Sequence, residues 1–204
     1  MTARKTKDVL EEIHDLCIDK QHRIIYVHSE FCDEETGVDW RMASRFIKNL
    51  DYLDSLSNEP ILIKFVTPGG DWNTGMAIYD AIARSKSHIT TLSYAHARSM
   101  SSIIIQAADH RQISKNADFM IHYGTYGDEG DWRQVANGVE HYKKANDMML
   151  NIYASKCING KYAIEKNMSL SMIKAFIKKK IDNKTDWWMT SEEALYYGFV
   201  DEVI

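Results

Sequence analysis

ILIKFVTPGGDWNTGMAIYDAIARS, residues 61–85, opens with a short β-branched and apolar run, breaks at Pro68-Gly69-Gly70, and resumes with apolar residues at helical spacing. That order reads as strand, tight turn, helix. The same unit recurs on either side of it. RIIYVHS (23–29), HITTLSY (88–94) and DFMIHY (118–123) read as further strands. DVLEEIHDLCI places Val9, Ile13 and Cys17 with Leu10 and Leu16 on one helical face, and WRMASRFIKNLDYL does so with Met42, Phe46, Leu50 and Leu53. SMSSIIIQAADH, after the 88–94 strand, is a further helical segment. Short apolar strands separated by helices predict an α/β fold built on a largely parallel, buried sheet.

Composition supports one domain over residues 1–204. The chain is 45% apolar and 26% charged, has only two prolines, Pro60 and Pro68, and shows no repeat or Gly/Ser-rich linker. A net charge of -4 gives no general attraction to nucleic acid. Cys17, Cys32 and Cys157 are far apart and form no CxxC, which argues against a disulfide framework or a zinc site and for a reducing compartment. The charged N-terminal residues and the absence of any run of eighteen apolar residues argue against a signal peptide or a membrane span. The expectation is a cytoplasmic protein without metal or cofactor. No GxxxxGK[S/T] stretch occurs, so the chain carries no phosphate loop for a motor of its own.

In such sheets chemistry collects where strands end and helices begin. Three stretches fall there: TPGGD, AHARSMSSIII (95–105) and His122. Each alone has an ordinary role: a turn, a helix cap, a packed histidine. Taken together they match amide acyl transfer, which needs a nucleophile, a base, a carboxylate that orients the base, and N–H donors aimed at the oxyanion. His96 is a rival base, but three residues from Ser99 on an extended segment it points to the opposite face. Asp182 competes with Asp186 as the carboxylate.

TPGGDWNTGMAIYDAI, AHARSMSS, FMIH and DWWMTSEEALYYGFVDEV, in that order, resemble the signature segments of the Clp-family caseinolytic serine peptidases, from about residue 20 to the end. The resemblance implies a crotonase/Clp-protease-like spiral of ββα units with a protruding handle helix. It implies Ser99 as nucleophile, His122 as base and Asp186 as orienting carboxylate. Gly70 and Met100 would supply the oxyanion-hole N–H groups, and Gly69 would shape the turn. Gly69, Arg98, Tyr123 and Gly124 would adjoin a polypeptide substrate. The implied assembly is a homo-oligomer of heptameric rings, single or stacked, served by a separate AAA+ unfoldase. Residues 1–20 form a variable N-terminal helix in this reading, and about 125–185 form the handle region with an insertion.

Several positions depart from the pattern. Ala95 and Ser101 stand where the family has glycine, Arg98 where it has a small residue, and Tyr123-Gly124 where it has Gln-Pro. His122 and Asp186 are 64 residues apart, longer than usual, with the surplus around CINGKYAIEKNMSLSMIKAFIKKKIDNKTD. That segment reads as helical, with KKK at 178–180 as a solvated face. From Trp132 through Ala154, Val135, Val139, Tyr142, Met149 and Tyr153 line one side, with Ala145, Met148 and Ile152 beside them. Such a face is covered either by the chain's own core or by another copy. Thr190, Glu193 and Gly198 frame a short helix with a capping box and a glycine stop. Three other readings stay open: a crotonase-like acyl-CoA enzyme, a Ser-Lys peptidase using Lys115 or Lys64, and a catalytically degenerate ring or scaffold subunit.

Overall fold

The computed structural model describes residues 3–28 and 37–204; Cys32 lies outside these residues. Helix α1 (Ala3–Leu16) leads into β1 (Ile18–Asp19) and β2 (Ile24–His28), followed by α2 (Trp40–Leu56), β3 (Ile61–Val66), α3 (Trp72–Arg84) and β4 (Ile89–Ser93). Then come β5 (His96–Arg98), α4 (Met100–Ile104), a single 3₁₀ turn, β6 (His110–Ile113) and β7 (Asp118–Ile121). The chain ends with α5 (Trp132–Cys157), α6 (Lys161–Glu165), α7 (Leu170–Lys184), β8 (Trp187–Thr190), α8 (Ser191–Tyr197) and β9 (Glu202–Val203).

The main sheet has the order β1-β2-β3-β4-β6-β9; all neighbours run parallel except β1, which is antiparallel to β2. Its strands alternate. Ile25, Val27, Ile61, Ile63 and Phe65 are fully buried, while Tyr26, Lys64 and Val66 are half-exposed on the other face. One face therefore anchors the core, at roughly 1.5–3 kcal/mol for each large apolar side chain removed from water. Helices α2 and α3 begin at Asp39 and Asp71, whose carboxylates accept from the N–H groups of Met42 and Thr74 at 2.9 Å. Side-chain oxygens thus satisfy N–H groups that a helix start leaves over. Leu10 and Leu16 of α1 remain exposed, so the apolar stripe read in that helix is only partly covered.

A second sheet, order β5-β7-β8, was not anticipated as a separate layer: the sequence places DFMIHY in the same sheet as the other strands, but it pairs with β5 and β8 instead. To reach β5 the chain turns at Ala95, which takes φ 58°. That is the left-handed region glycine favours, and it costs a residue with a Cβ about 1–2 kcal/mol. Strand β5 runs parallel to β7, and β8 runs antiparallel to it. The C-terminal ends of β5 and β7 and the N-terminal end of β8 therefore share one edge of this sheet. His122 stands just beyond β7 at that edge rather than within the strand.

Only the second half of α5 is in the core: Met149, Leu150, Tyr153, Ala154 and Cys157 are buried. In the first half Trp132 is 78% exposed, and Val135, Val139 and Tyr142 are half-covered. The surplus segment forms α6 and α7, with Ile173, Ile177 and Ile181 of α7 buried against the core and Lys174 paired with Asp147 of α5 at 2.6 Å. The lysine run is not simply solvated: Lys178 pairs with Asp182, and Lys180 covers the rings of Phe176 and Trp187. Helix α8 has the expected frame, a Thr190–Glu193 capping box and a left-handed Gly198. Among the described residues no helix is long and apolar enough to cross a membrane, and no cluster of three or more His, Cys, Asp or Glu residues is arranged to hold a metal ion.

Candidate active site

Ser99 sits between β5 and α4 with φ 50° and ψ −127°, a conformation that costs of order 1–3 kcal/mol unless the surroundings enforce it. Its neighbours do so. Its N–H donates to Met120 O of β7 at 2.9 Å, and its carbonyl accepts from Ser102 Oγ at 2.6 Å. Ser101 Oγ is buried, accepts from Arg98 N–H at 3.0 Å, and lies 2.7 Å from Arg98 O and 3.0 Å from Thr67 O. Tyr153, fully buried on α5, meets Ser102 Oγ at 2.6 Å, and burial pushes its hydroxyl pKa up. The serines at 101 and 102 therefore splint the turn on which Ser99 stands. The Ser99 side chain makes no cap bond to its own helix.

Instead, Ser99 Oγ lies 2.8 Å from His122 Nε2, and His122 Nδ1 lies 2.9 Å from Asp186 Oδ1. An ionised carboxylate can only accept, so the imidazole proton belongs on Nδ1, which leaves Nε2 to accept from the serine hydroxyl. The rival residues are placed elsewhere. His96 is in register with Asp118 on β5. Asp182 accepts from Tyr123 Oη at 3.1 Å and from Lys178 at 2.6 Å. Burial and this carboxylate together push the Tyr123 pKa up to about 12. Lys64 lies over the Tyr26 ring on the main sheet. Of the adjoining tryptophans only Trp187 is buried; Trp188 is half-exposed, on the other face of β8.

The glycine turn lies against the same serine. Gly69 (φ 115°) and Gly70 (φ 151°) take angles reserved for glycine. A Cβ on Gly69 would stand 2.7 Å from Ser99 Cβ and 2.9 Å from Met100 N. Val38 bridges this turn by donating to Gly69 O and accepting from Asp71 N–H, and so leaves the Gly70 N–H out of the bridge. Met100 opens α4, and the N–H of a first helical residue has no partner within its helix. Gly69→Ala should lower kcat/KM by on the order of 10²-fold with the fold retained, because the clash falls on the nucleophile's Cβ and on the backbone of Arg98 and Met100 beside it. A hydrolysis assay beside circular dichroism checks it.

A cleft of about 510 Å³ opens over these groups, with Gly70, Ser99, Met100, His122, Tyr123 and Gly124 in its wall and Trp72, Ile103, Tyr142 and Met149 on the side of α3 to α5. Tyr142 Oη donates to Tyr123 O and its ring stacks on Tyr126, which pins the chain after His122 onto α5. Gly69 and Arg98 stand behind the cleft. Arg98 points along the outer face of the second sheet, where it pairs with Asp118. Sequence reasoning missed Gly37, where a Cβ would fall 2.5 Å from Gly69 O, as well as Thr67 and Tyr153. A glycine followed by Val38 is the visible trace of the first; Thr67 opens the TPGGD stretch and Tyr153 lies on an apolar helical face, but neither pattern shows what its polar atoms bind.

A hydroxyl, an imidazole and a carboxylate in hydrogen-bonded series on an α/β scaffold are the equipment of serine hydrolases. The Clp protease family model matches residues 17–204, and the chain belongs to that family. It is 30% identical over 172 residues to the ATP-dependent Clp protease proteolytic subunit of Deinococcus radiodurans, covering 83% of this chain and 77% of that one. It is 31% identical to the same subunit of Streptococcus equi subsp. equi (82% and 80% covered), and 32% identical to that of Streptococcus thermophilus (80% and 78%). The chain is accordingly a serine peptidase with the Clp protease fold.

Proposed function

We propose that this peptidase works through Ser99, His122 and Asp186. His122 Nε2 takes the hydroxyl proton as Ser99 Oγ attacks the peptide carbonyl, then delivers it to the departing amine. Asp186 holds the tautomer and stabilises the imidazolium. The N–H groups of Gly70 and Met100 receive the oxyanion, and water then cleaves the Ser99 ester by the same steps in reverse. Tyr123 and Gly124 align an extended polypeptide along the cleft. The observation that carries this reading is the pair of bonds at 2.8 and 2.9 Å joining three residues remote in sequence. Rapid mixing with an activated peptidyl ester tests it. A burst of leaving group equal to the number of subunits is expected, and a linear trace with no burst, under conditions where deacylation limits turnover, contradicts an acyl-enzyme.

The first half of α5, where Trp132 and Met148 are exposed and Val135, Val139 and Tyr142 half-covered, supports a homo-oligomer, which we propose is built of rings of seven, single or stacked. The relatives named above are subunits of an ATP-dependent protease, and this chain lacks a phosphate loop, so its ATP dependence would come from a separate AAA+ unfoldase. The described cysteines, Cys17 and Cys157, are buried thiols outside any disulfide, which suits a cytoplasmic setting. Native mass spectrometry should show a mass that is a multiple of seven subunits; a monomer at micromolar concentration contradicts the assembly.

A further inference from the structure

We propose that Arg98 is a positioning residue that, through Asp118 and Trp188, fastens together the three strands carrying Ser99, His122 and Asp186; this rests on the catalytic reading above.

Each of the three side chains is the residue next to one strand of the small sheet: Ser99 follows β5, His122 follows β7 and Asp186 precedes β8. Their spacing is therefore set by how these short strands align. Backbone pairing is brief, since β5 has three residues and β7 and β8 have four each. Arg98 is in register with Met120, and Met120 with Trp188, so Arg98 and Trp188 share the outer face with Asp118, two residues before Met120 on β7. There Arg98 Nε and Nη2 take both oxygens of Asp118 at 2.6 and 2.5 Å, and its guanidinium carbon lies 5.0 Å from the Trp188 ring centre. One planar group thus touches all three strands. Its own backbone N–H and C=O are the groups Ser101 binds beneath the nucleophile.

The chemistry of the clamp separates geometry from stability. Arg98 and Asp118 are 31% and 37% exposed at their side chains, and exposed ion pairs add little to folding. A bidentate fork stacked on an indole is nevertheless strongly directional. Its removal should therefore loosen the alignment of the site while leaving the fold standing. Asp118 takes Nε and Nη2 of the fork, and Arg98 does not line the cleft, which argues against recognition of a substrate carboxylate.

The test uses the whole chain and the variants Arg98→Ala, Arg98→Lys, Asp118→Ala and Arg98→Ala/Asp118→Ala. Active sites are counted with a fluorophosphonate, and kcat and KM are measured on a fluorogenic peptide beside the melting temperature. Arg98→Ala should lower kcat per titrated site by on the order of 10- to 10²-fold with KM within about twofold, as for a misplaced reacting group. Asp118→Ala should match it, and the double variant should be no slower than either single. Arg98→Lys, which keeps charge and length without the fork, should fall between, and it carries the test if an alanine variant fails to assemble. A wild-type kcat per site in Arg98→Ala or Arg98→Lys overturns the proposal, as do additive losses in the double variant. A change confined to KM overturns it in favour of a substrate contact. Failure of the fluorophosphonate to label Ser99 in the unaltered chain overturns the catalytic reading and this proposal with it, whereas labelled but unchanged variants overturn this proposal alone.

Discussion

Ser99→Ala should lower kcat for peptide hydrolysis by on the order of 10⁴ to 10⁶, about 5 to 8 kcal/mol of barrier. The size follows from the loss of a step. Without Oγ there is no acyl-enzyme, and what remains is water attacking a carbonyl held near the Gly70 and Met100 N–H groups. His122→Ala should fall as far, since an alcohol that cannot shed its proton is a poor nucleophile at neutral pH. The double variant should be no slower than either single, because each removal already disables the same step. Asp186 is 43% exposed at its side chain, so solvent can partly replace it, and Asp186→Ala should cost the least of the three. Steady-state kinetics on one fluorogenic peptide measure all four. A residual rate in Ser99→Ala above a tenth of the unaltered rate would contradict the mechanism.

The second large effect concerns stability. Arg111, 6% exposed at its side chain, gives Nε and Nη2 to Asp201 at 2.9 and 2.6 Å and Nη1 to Gln106 Oε1 at 2.6 Å. Gln106 in turn donates to Ser102 O at 2.9 Å, one turn below the nucleophile. Asp201→Ala would strand a buried guanidinium, which typically costs about 3–5 kcal/mol; Asp201 is a third exposed, so the lower end is expected. The same pair gives a pH signature. Burial alone raises the Asp201 pKa, and the hydrogen bonds and charge of Arg111 more than reverse this, so it lies below the usual carboxylate value. A carboxylate with a lowered folded-state pKa contributes its stability above about pH 4, its unfolded value, and loses it as pH falls through the folded value. Urea midpoints should therefore drop less between neutral and acid pH in Asp201→Asn than in the unaltered chain, from a lower starting point. Equal acid sensitivity in both would remove Asp201 from the account.

The sequence exposed the parts of the fold that obey a short period. Ile61–Val66 and Ile24–His28 alternate, α2 and α3 keep their apolar stripe, and Thr190 to Gly198 follow capping rules. The split into two sheets was not legible, because β5 is three residues long and its partner choice is decided at Ala95, by a backbone angle an alanine does not advertise. The site divided the same way. Ser99, His122, Asp186 and the two glycines sit in recognisable segments, and the structure brings their side chains and backbone together at one edge. Arg98, expected against substrate, could not be placed from sequence: its direction depends on Asp118 and Trp188, 20 and 90 residues further on. Tyr153 stands in the sequence as one member of an apolar helical face, although its hydroxyl ends on Ser102.

Labelling of the native assembly with a fluorophosphonate, followed by peptide mapping, tests the central claim most directly. The account predicts one adduct per subunit on Ser99, absent in Ser99→Ala and formed far more slowly in His122→Ala. An adduct on another residue, or a labelling rate at Ser99 that does not depend on His122, would contradict it.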